Sequence, residues 1–201
     1  MRNNHPHFRD LLEKMLDHKA KSVRNAARAL KSGSIPAYLM FEDYDFDIGE
    51  GYYVTKDMFS CGSAAAAFYH GIFIHPRFYY LDESILIEDQ MELLTDENYD
   101  WSIEEECYSL IAHEINHVIN MKNNFSSMEE EQESCPDDDL EEQRIHVVYE
   151  YHAYVAGQQS VFGYSDNEIK KTIKEHYAQL LPMSEIDGLC KLTINFDNSG
   201  A

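Results

Sequence analysis

Basic residues are scarce in this chain of 201 residues. Sixteen Lys and Arg stand against 37 Asp and Glu, a net charge of −21. That balance argues against sequence-independent binding to DNA, RNA or an anionic membrane, which needs a basic footprint. It permits a basic protein partner or substrate, and it also helps keep a protein in solution. Cysteine is sparse too. The four, Cys61, Cys107, Cys135 and Cys190, lie far apart with no CxxC pair. They read as free thiols of a reducing compartment and speak against a cysteine-based metal site. No run of 18 apolar residues exists, so no transmembrane helix is expected. Residues 1–31 carry His, Arg, Asp and Lys throughout and lack the apolar segment of a secretory signal. The expectation is a cytoplasmic protein, with export by a signal-less route left open.

What is present suffices for a core. Hydrophobic residues make up 44 %, with 14 Tyr and 10 Phe. A chain of this length buries a core without disulfides or structural metals and fits one domain. It reads as one domain over 1–201 in four parts: an N-terminal helix within 1–35, a strand-rich part over 36–100, a helical part over 101–182, and a C-terminal tail over 183–201.

Apolar residues recur at helical spacing over 7–31, with Gly33 and Pro36 as stops. Residues 37–48 change period: Asp43, Asp45 and Asp47 alternate with Tyr44, Phe46 and Ile48, as on a half-buried strand. The same Asp spacing fails as a calcium loop, because Ile48 and Val54 stand where Gly and Glu are needed. Residues 51–54 and 68–80 are aromatic and β-branched and predict strands, with a bulge at Gly71 and an edge position at Pro76. A capping box of Ser102 and Glu105 predicts a helix over about 102–122. Residues 128–142 are dominated by acids and read as a loop or a solvated helix start. A helix follows over 140–162, and Ser165 with Glu168 caps another that stops at Pro182. A few strands giving way to helices point to an α+β fold.

The stretch LIAHEINHVI, residues 110–119, carries the chemistry. On a helix, residues four apart share a face. His113 and His117 can therefore turn one imidazole each toward a single ion. Zn²⁺ takes His nitrogen readily, and a catalytic zinc keeps three protein ligands and one water. Glu114, beside the first histidine, can take a proton from that water as it attacks a carbonyl and return it to the leaving amine. The flanking Leu110, Ile111, Ile115, Asn116, Val118 and Ile119 carry no charge, as on a helix built for burial.

These residues resemble the active-site helix of the zincin metallopeptidases. The resemblance implies a small, mostly antiparallel sheet packed against the HExxH helix, an edge strand above a zinc cleft, and a third ligand further along. A metzincin would need Gly at 120 and His at 123, where Asn120 and Asn123 stand. A gluzincin-like third ligand from a later helix remains. Within RIHVVYEYHAYVAG, residues 144–157, Glu150 is the preferred ligand, because Ala153 and Gly157 on its face would allow close approach to the motif helix. His146, one turn earlier, is the main rival, and His152 is third. The branch's usual Glu-x-x-x-Asp pattern is broken by Tyr154, which leaves open what orients the histidines. A donor for a developing oxyanion is also needed. Tyr154 is the first candidate, with His146 and Tyr149 behind it, while His70 and His75 read as surface histidines of a strand.

The expected function is a zinc-dependent metallopeptidase of peptide or protein substrates. Zn²⁺ would be held by His113, His117 and Glu150, with Glu114 as general base. Substrate would add as a strand along residues 70–79. No nucleic acid and no membrane is expected as a partner, and the oligomeric state stays open. The alternatives are an acidic interaction protein that binds a basic partner without catalysis, and a zinc-binding zincin fold without turnover.

Overall fold

The computed structural model describes residues 6–39, 46–49, 52–54, 65–68, 71–74, 102–134 and 139–192. The helix expected over 7–31 is two helices, α1 (Pro6–Leu16) and α2 (Lys21–Ser32). Between Leu16 and Val23 the only apolar residue is Ala20, and the chain turns there. His18 Nδ1 accepts the Ala20 N–H at 3.1 Å, and Arg24 donates to the carbonyls of His18 and Lys19 at 2.6 Å each. Phe8, Leu11 and Met15 of α1 and Val23, Ala27 and Leu30 of α2 still share one core. Gly33 ends α2 with φ 75°, as its position suggested.

Five short strands follow among the described residues: β1 (Ala37–Leu39), β2 (Phe46–Gly49), β3 (Tyr52–Val54), β4 (Ala65–Phe68) and β5 (Gly71–Ile74). β2 and β3 form an antiparallel pair, irregular between Asp47 and Gly49. The other three make a sheet in the order β1-β5-β4, with β1 parallel and β4 antiparallel to β5. Gly71 is not a bulge. It stands opposite Phe68 in register, and a Cβ on it would lie 2.4 Å from the Pro36 carbonyl oxygen. Its φ of 154° and missing side chain let β1 come alongside, where Ile72 N–H donates to Pro36 O at 3.0 Å. Pro76, residues 84–94 and most of the alternating segment 42–48 lie outside the described residues.

The long helix α3 (Ile103–Ser134) starts at the expected capping box. Glu105 N–H donates to Ser102 Oγ at 3.2 Å, and Ser102 N–H donates to Glu105 Oε2 at 3.1 Å. It runs twelve residues past the expected end, into the acidic stretch. Glu, Gln and Met are good helix formers, and no Gly or Pro intervenes before Pro136. Helix α4 (Asp139–Tyr154) continues through a π-helical turn, Val155–Gln159, and a last turn, Ser160–Phe162. Helix α5 (Asp166–Tyr177) carries the full Ser165–Glu168 capping box. It ends before Pro182, which instead opens α6 (Met183–Leu189), inside the segment expected as a tail.

The expected α+β fold with a mostly antiparallel sheet is therefore corrected. About three quarters of the described residues are helical, and the sheet contains a parallel pair. The segments that suggested strands supply strands of only three or four residues among those described, while α3 alone has 32. The parallel pairing joins segments distant in sequence, which no local turn signal announces. No helix among the described residues is long and apolar enough to cross a membrane.

Among the described residues, two apolar clusters hold these helices. The larger joins α1, α2, β1, β4 and β5 to Ile111, Ile115 and Val118 of α3. Each isoleucine fully buried there is worth roughly 1.5–3 kcal/mol. The smaller gathers Val147, Ile169, Ile173 and Ile186 from α4, α5 and α6. Helix α3 belongs to the first cluster and α4 to the second, and the seam between them holds the candidate site.

Candidate metal centre

Of the six uncharged neighbours of the motif, Ile111, Ile115 and Val118 are buried, while Leu110, Asn116 and Ile119 are half-buried. Ile111, Ala112, Ile115 and Val118 lie at 2 % exposure or less. With that face of α3 in the core, His113 and His117 turn to α4, and their Nε2 atoms stand 3.0 Å apart. Across the seam, Glu150 places Oε1 3.3 Å from His117 Nε2 and Oε2 3.5 Å from His113 Nε2.

Small residues make the approach. Ala153 is fully buried, and a Cβ on Gly157 would lie 2.5 Å from the Ser109 carbonyl oxygen and 3.2 Å from His113 Cβ. The backbones of α3 and the π-turn thus meet with no room for a side chain.

The donor set suits a zinc ion. Two imidazole nitrogens and a carboxylate are its common ligands, and tetrahedral bonds of 2.0–2.1 Å set neighbouring donors about 3.3 Å apart. The three observed separations, 3.0, 3.3 and 3.5 Å, bracket that spacing. His113, His117 and Glu150 are the group among the described residues that could hold a metal ion.

The electrostatics separate the two histidines. Burial, then repulsion from His117, pushes His113 down to about 4, against the pull of Glu150 and of Gln158. For His117, burial also opposes the charge, but the hydrogen bond to Glu150 and the charges of Glu150 and Glu114 outweigh it, and the pKa rises. Glu150 mirrors this. Burial would raise its carboxyl, but the His117 hydrogen bond and the charges of His117, His113 and His146 hold it low.

Glu114 is 9 % exposed, on the side of α3 that meets the sheet. Burial first, with the charge of Glu150, pushes its carboxyl up to about 7, while the charge of His117 and the Ala67 N–H of β4 pull the other way. A carboxyl near neutrality is suited to both taking and returning a proton.

Tyr154 sits edge-on against the His113 ring, centroids 5.0 Å apart at 88°. Burial, then the charges of Glu150 and Glu114, raises its hydroxyl pKa. His146 is exposed, and its charge helps hold the Glu150 carboxyl low. His152 points away, its Nε2 2.9 Å from the Leu192 carbonyl oxygen. Tyr149 is half-buried on α4. His70 and His75 lie outside the described residues. The expected docking along 70–79 fails for residues 71–74, because β5 is the middle strand and is paired on both sides.

One neighbour of the site escaped the sequence. Gln158 faces His113 from the π-turn, and its side chain works against burial to raise the imidazole pKa. By an α-helical count it falls past the face of Glu150, so its spacing gave no signal. Comparison of the chain with protein-family models, with curated proteins and with solved structures finds no match to any of them.

Proposed function

We propose that this chain is a zinc-dependent metallopeptidase. The observation that supports it most is the convergence of His113, His117 and Glu150 from two helices, with the buried Glu114 beside them. When bound, zinc supplies the Lewis acidity that makes water a nucleophile near neutral pH. The chain's own residues supply the rest. His113, His117 and Glu150 hold the ion. Glu114 takes a proton at its carboxylate and returns it to the leaving amine. The apolar face of α3 and the sheet keep bulk water from Glu114. Tyr154 offers a hydroxyl to charge that develops on the substrate carbonyl. The substrate is a peptide or protein. A cytoplasmic setting is part of the proposal, in keeping with the free thiols of Cys107 and Cys190.

Metal analysis of protein purified without chelators, paired with hydrolysis of a peptide library, tests the reading. The expected result is one zinc per chain and cleavage that Glu114→Gln lowers by about 10²–10⁴-fold without loss of the metal. Zinc with no hydrolysis would mark a binding protein. Zinc with activity indifferent to Glu114→Gln would overturn the assigned base, and a chain that takes up no metal would overturn the centre.

A further inference from the structure

His113 presents Nε2 to His117 and Glu150. Its other nitrogen, Nδ1, is buried and has no hydrogen-bond partner among the described residues. Gln158 Oε1 is in the same state. Gln158 acts on the His113 ring, and its neighbour Gly157 is where the π-turn comes up against His113, a Cβ there falling 3.2 Å from His113 Cβ. A buried donor and a buried acceptor left unmade are each costly, and each satisfies the other.

We propose that Gln158 Oε1 accepts a hydrogen bond from His113 Nδ1–H and is the positioning residue that keeps His113 Nε2 bare toward the metal. The inference rests on the metal-centre reading above and concerns a residue outside the ligand set.

A neutral imidazole carries one N–H, and a ligand nitrogen has to be the one without it. In the metal-free site that choice is contested. Glu150 Oε2 stands 3.5 Å from His113 Nε2 and, as a carboxylate, draws a proton to that nitrogen. An acceptor at Nδ1 draws it the other way. Ligating histidines usually have such an acceptor on their second nitrogen. In the pattern this chain resembles, that role falls to a carboxylate four residues after the third ligand. Here Tyr154 fills the position and packs its ring against His113 instead.

Gln158 comes one turn later, and the π-turn over Val155–Gln159 explains how it reaches. In an uninterrupted α-helix, eight residues overshoot a starting face by about 80°. A π-turn is wider and rotates less per residue, so Gln158 stays nearer the face of Glu150 and Tyr154. One helix face thus presents a carboxylate, an aromatic ring and an amide to a single imidazole.

The reverse amide orientation, with the Gln158 NH₂ donating to a bare Nδ1, would hold the proton on Nε2 and block ligation. ¹⁵N NMR of histidine-labelled, metal-free protein distinguishes the two forms of His113, and competition with a chromophoric chelator reads zinc affinity. The expected result is Nδ1–H in the native chain. Gln158→Met, similar in shape but without the acceptor, should shift the proton toward Nε2 and weaken zinc binding about ten- to a hundredfold. Gln158→Glu should restore the affinity. Nε2–H in the native metal-free protein, or native zinc affinity in Gln158→Met, overturns the role of Gln158 and leaves the metal centre standing. A native chain that binds no zinc overturns the centre itself. If Gln158→Met does not fold, the native tautomer decides.

Discussion

Helices α3 and α4 meet over one imidazole ring, yet they are held by different means. The motif stretch of α3 is set in the larger apolar cluster, with Ile111, Ile115 and Val118 at 2 % exposure or less. Helix α4 anchors through Val147 in the smaller cluster and reaches the site with polar groups on a turn that departs from α-helical winding. The two candidate ligands on α3 need only local geometry, because four residues bring them back to one face. The candidate ligand on α4 depends on tertiary structure, on Gly157 and on the packing of α5 and α6 behind it. The difference teaches where such a site is vulnerable: less within the motif than at the seam.

The largest effect expected lies on the α3 side. In the metal-free chain, Glu114 is pushed up to about 7 from an ordinary 4.5. The folded state therefore holds that proton more tightly than the unfolded chain does. The contribution to stability is complete below about pH 4.5 and is lost as pH rises through 7, a change of up to about 3 kcal/mol. Urea titrations of metal-free Glu114→Gln and native protein across this range should diverge, the variant gaining relative stability as pH rises. A constant difference would show that burial of Glu114 is not what separates α3 from α4.

The seam itself comes next. Gly157→Ala forces a methyl group against the Ser109 carbonyl oxygen, and backbone has to shift. A loss of about 2 kcal/mol is expected from overpacking. Zinc affinity should fall with it, because Glu150 rides on the displaced helix. Chemical denaturation and chelator competition on the same variant check both, and unchanged affinity would mean that Glu150 reaches the histidines without close packing.

The smallest effect belongs to the α4 side, away from the seam. Ser165→Ala removes a capping box from α5 and should cost about 1 kcal/mol. Zinc affinity in the folded protein should not change. If it did, the smaller cluster would be setting the geometry of Glu150 more directly than its packing indicates.

Much of the site could be read from residue types and spacing. His113, Glu114 and His117 announce themselves by an interval of four between uncharged neighbours. Ala153 and Gly157 marked the face by which α4 closes on α3, and the structure brings Glu150 to that face. Gln158 was not legible, because an α-helical count carries it off the face and nothing in VAGQQ signals a π-turn. The fold was read less well. The break between α1 and α2 depends on Arg24 folding back onto two carbonyls, a contact no periodicity records. The parallel pairing of β1 with β5 depends on Gly71 meeting Pro36 across some 35 positions. Strand-like composition over 36–100 spoke only to local preference, and what dominates the described structure is the length of its helices.

Gly157 also constrains descent. A side chain there cannot be accommodated by a rotamer change, since what it would strike is the backbone of α3. Of the substitutions one nucleotide change away from a glycine codon, none is smaller than alanine, so each one pushes the two helices apart. Any lineage that keeps Glu150 within reach of both histidines has to hold this position fixed. A glycine 44 positions after the first histidine of an HExxH pair, and seven after a glutamate, is accordingly the mark by which distant kin of this chain can be sought when the rest of the sequence has diverged.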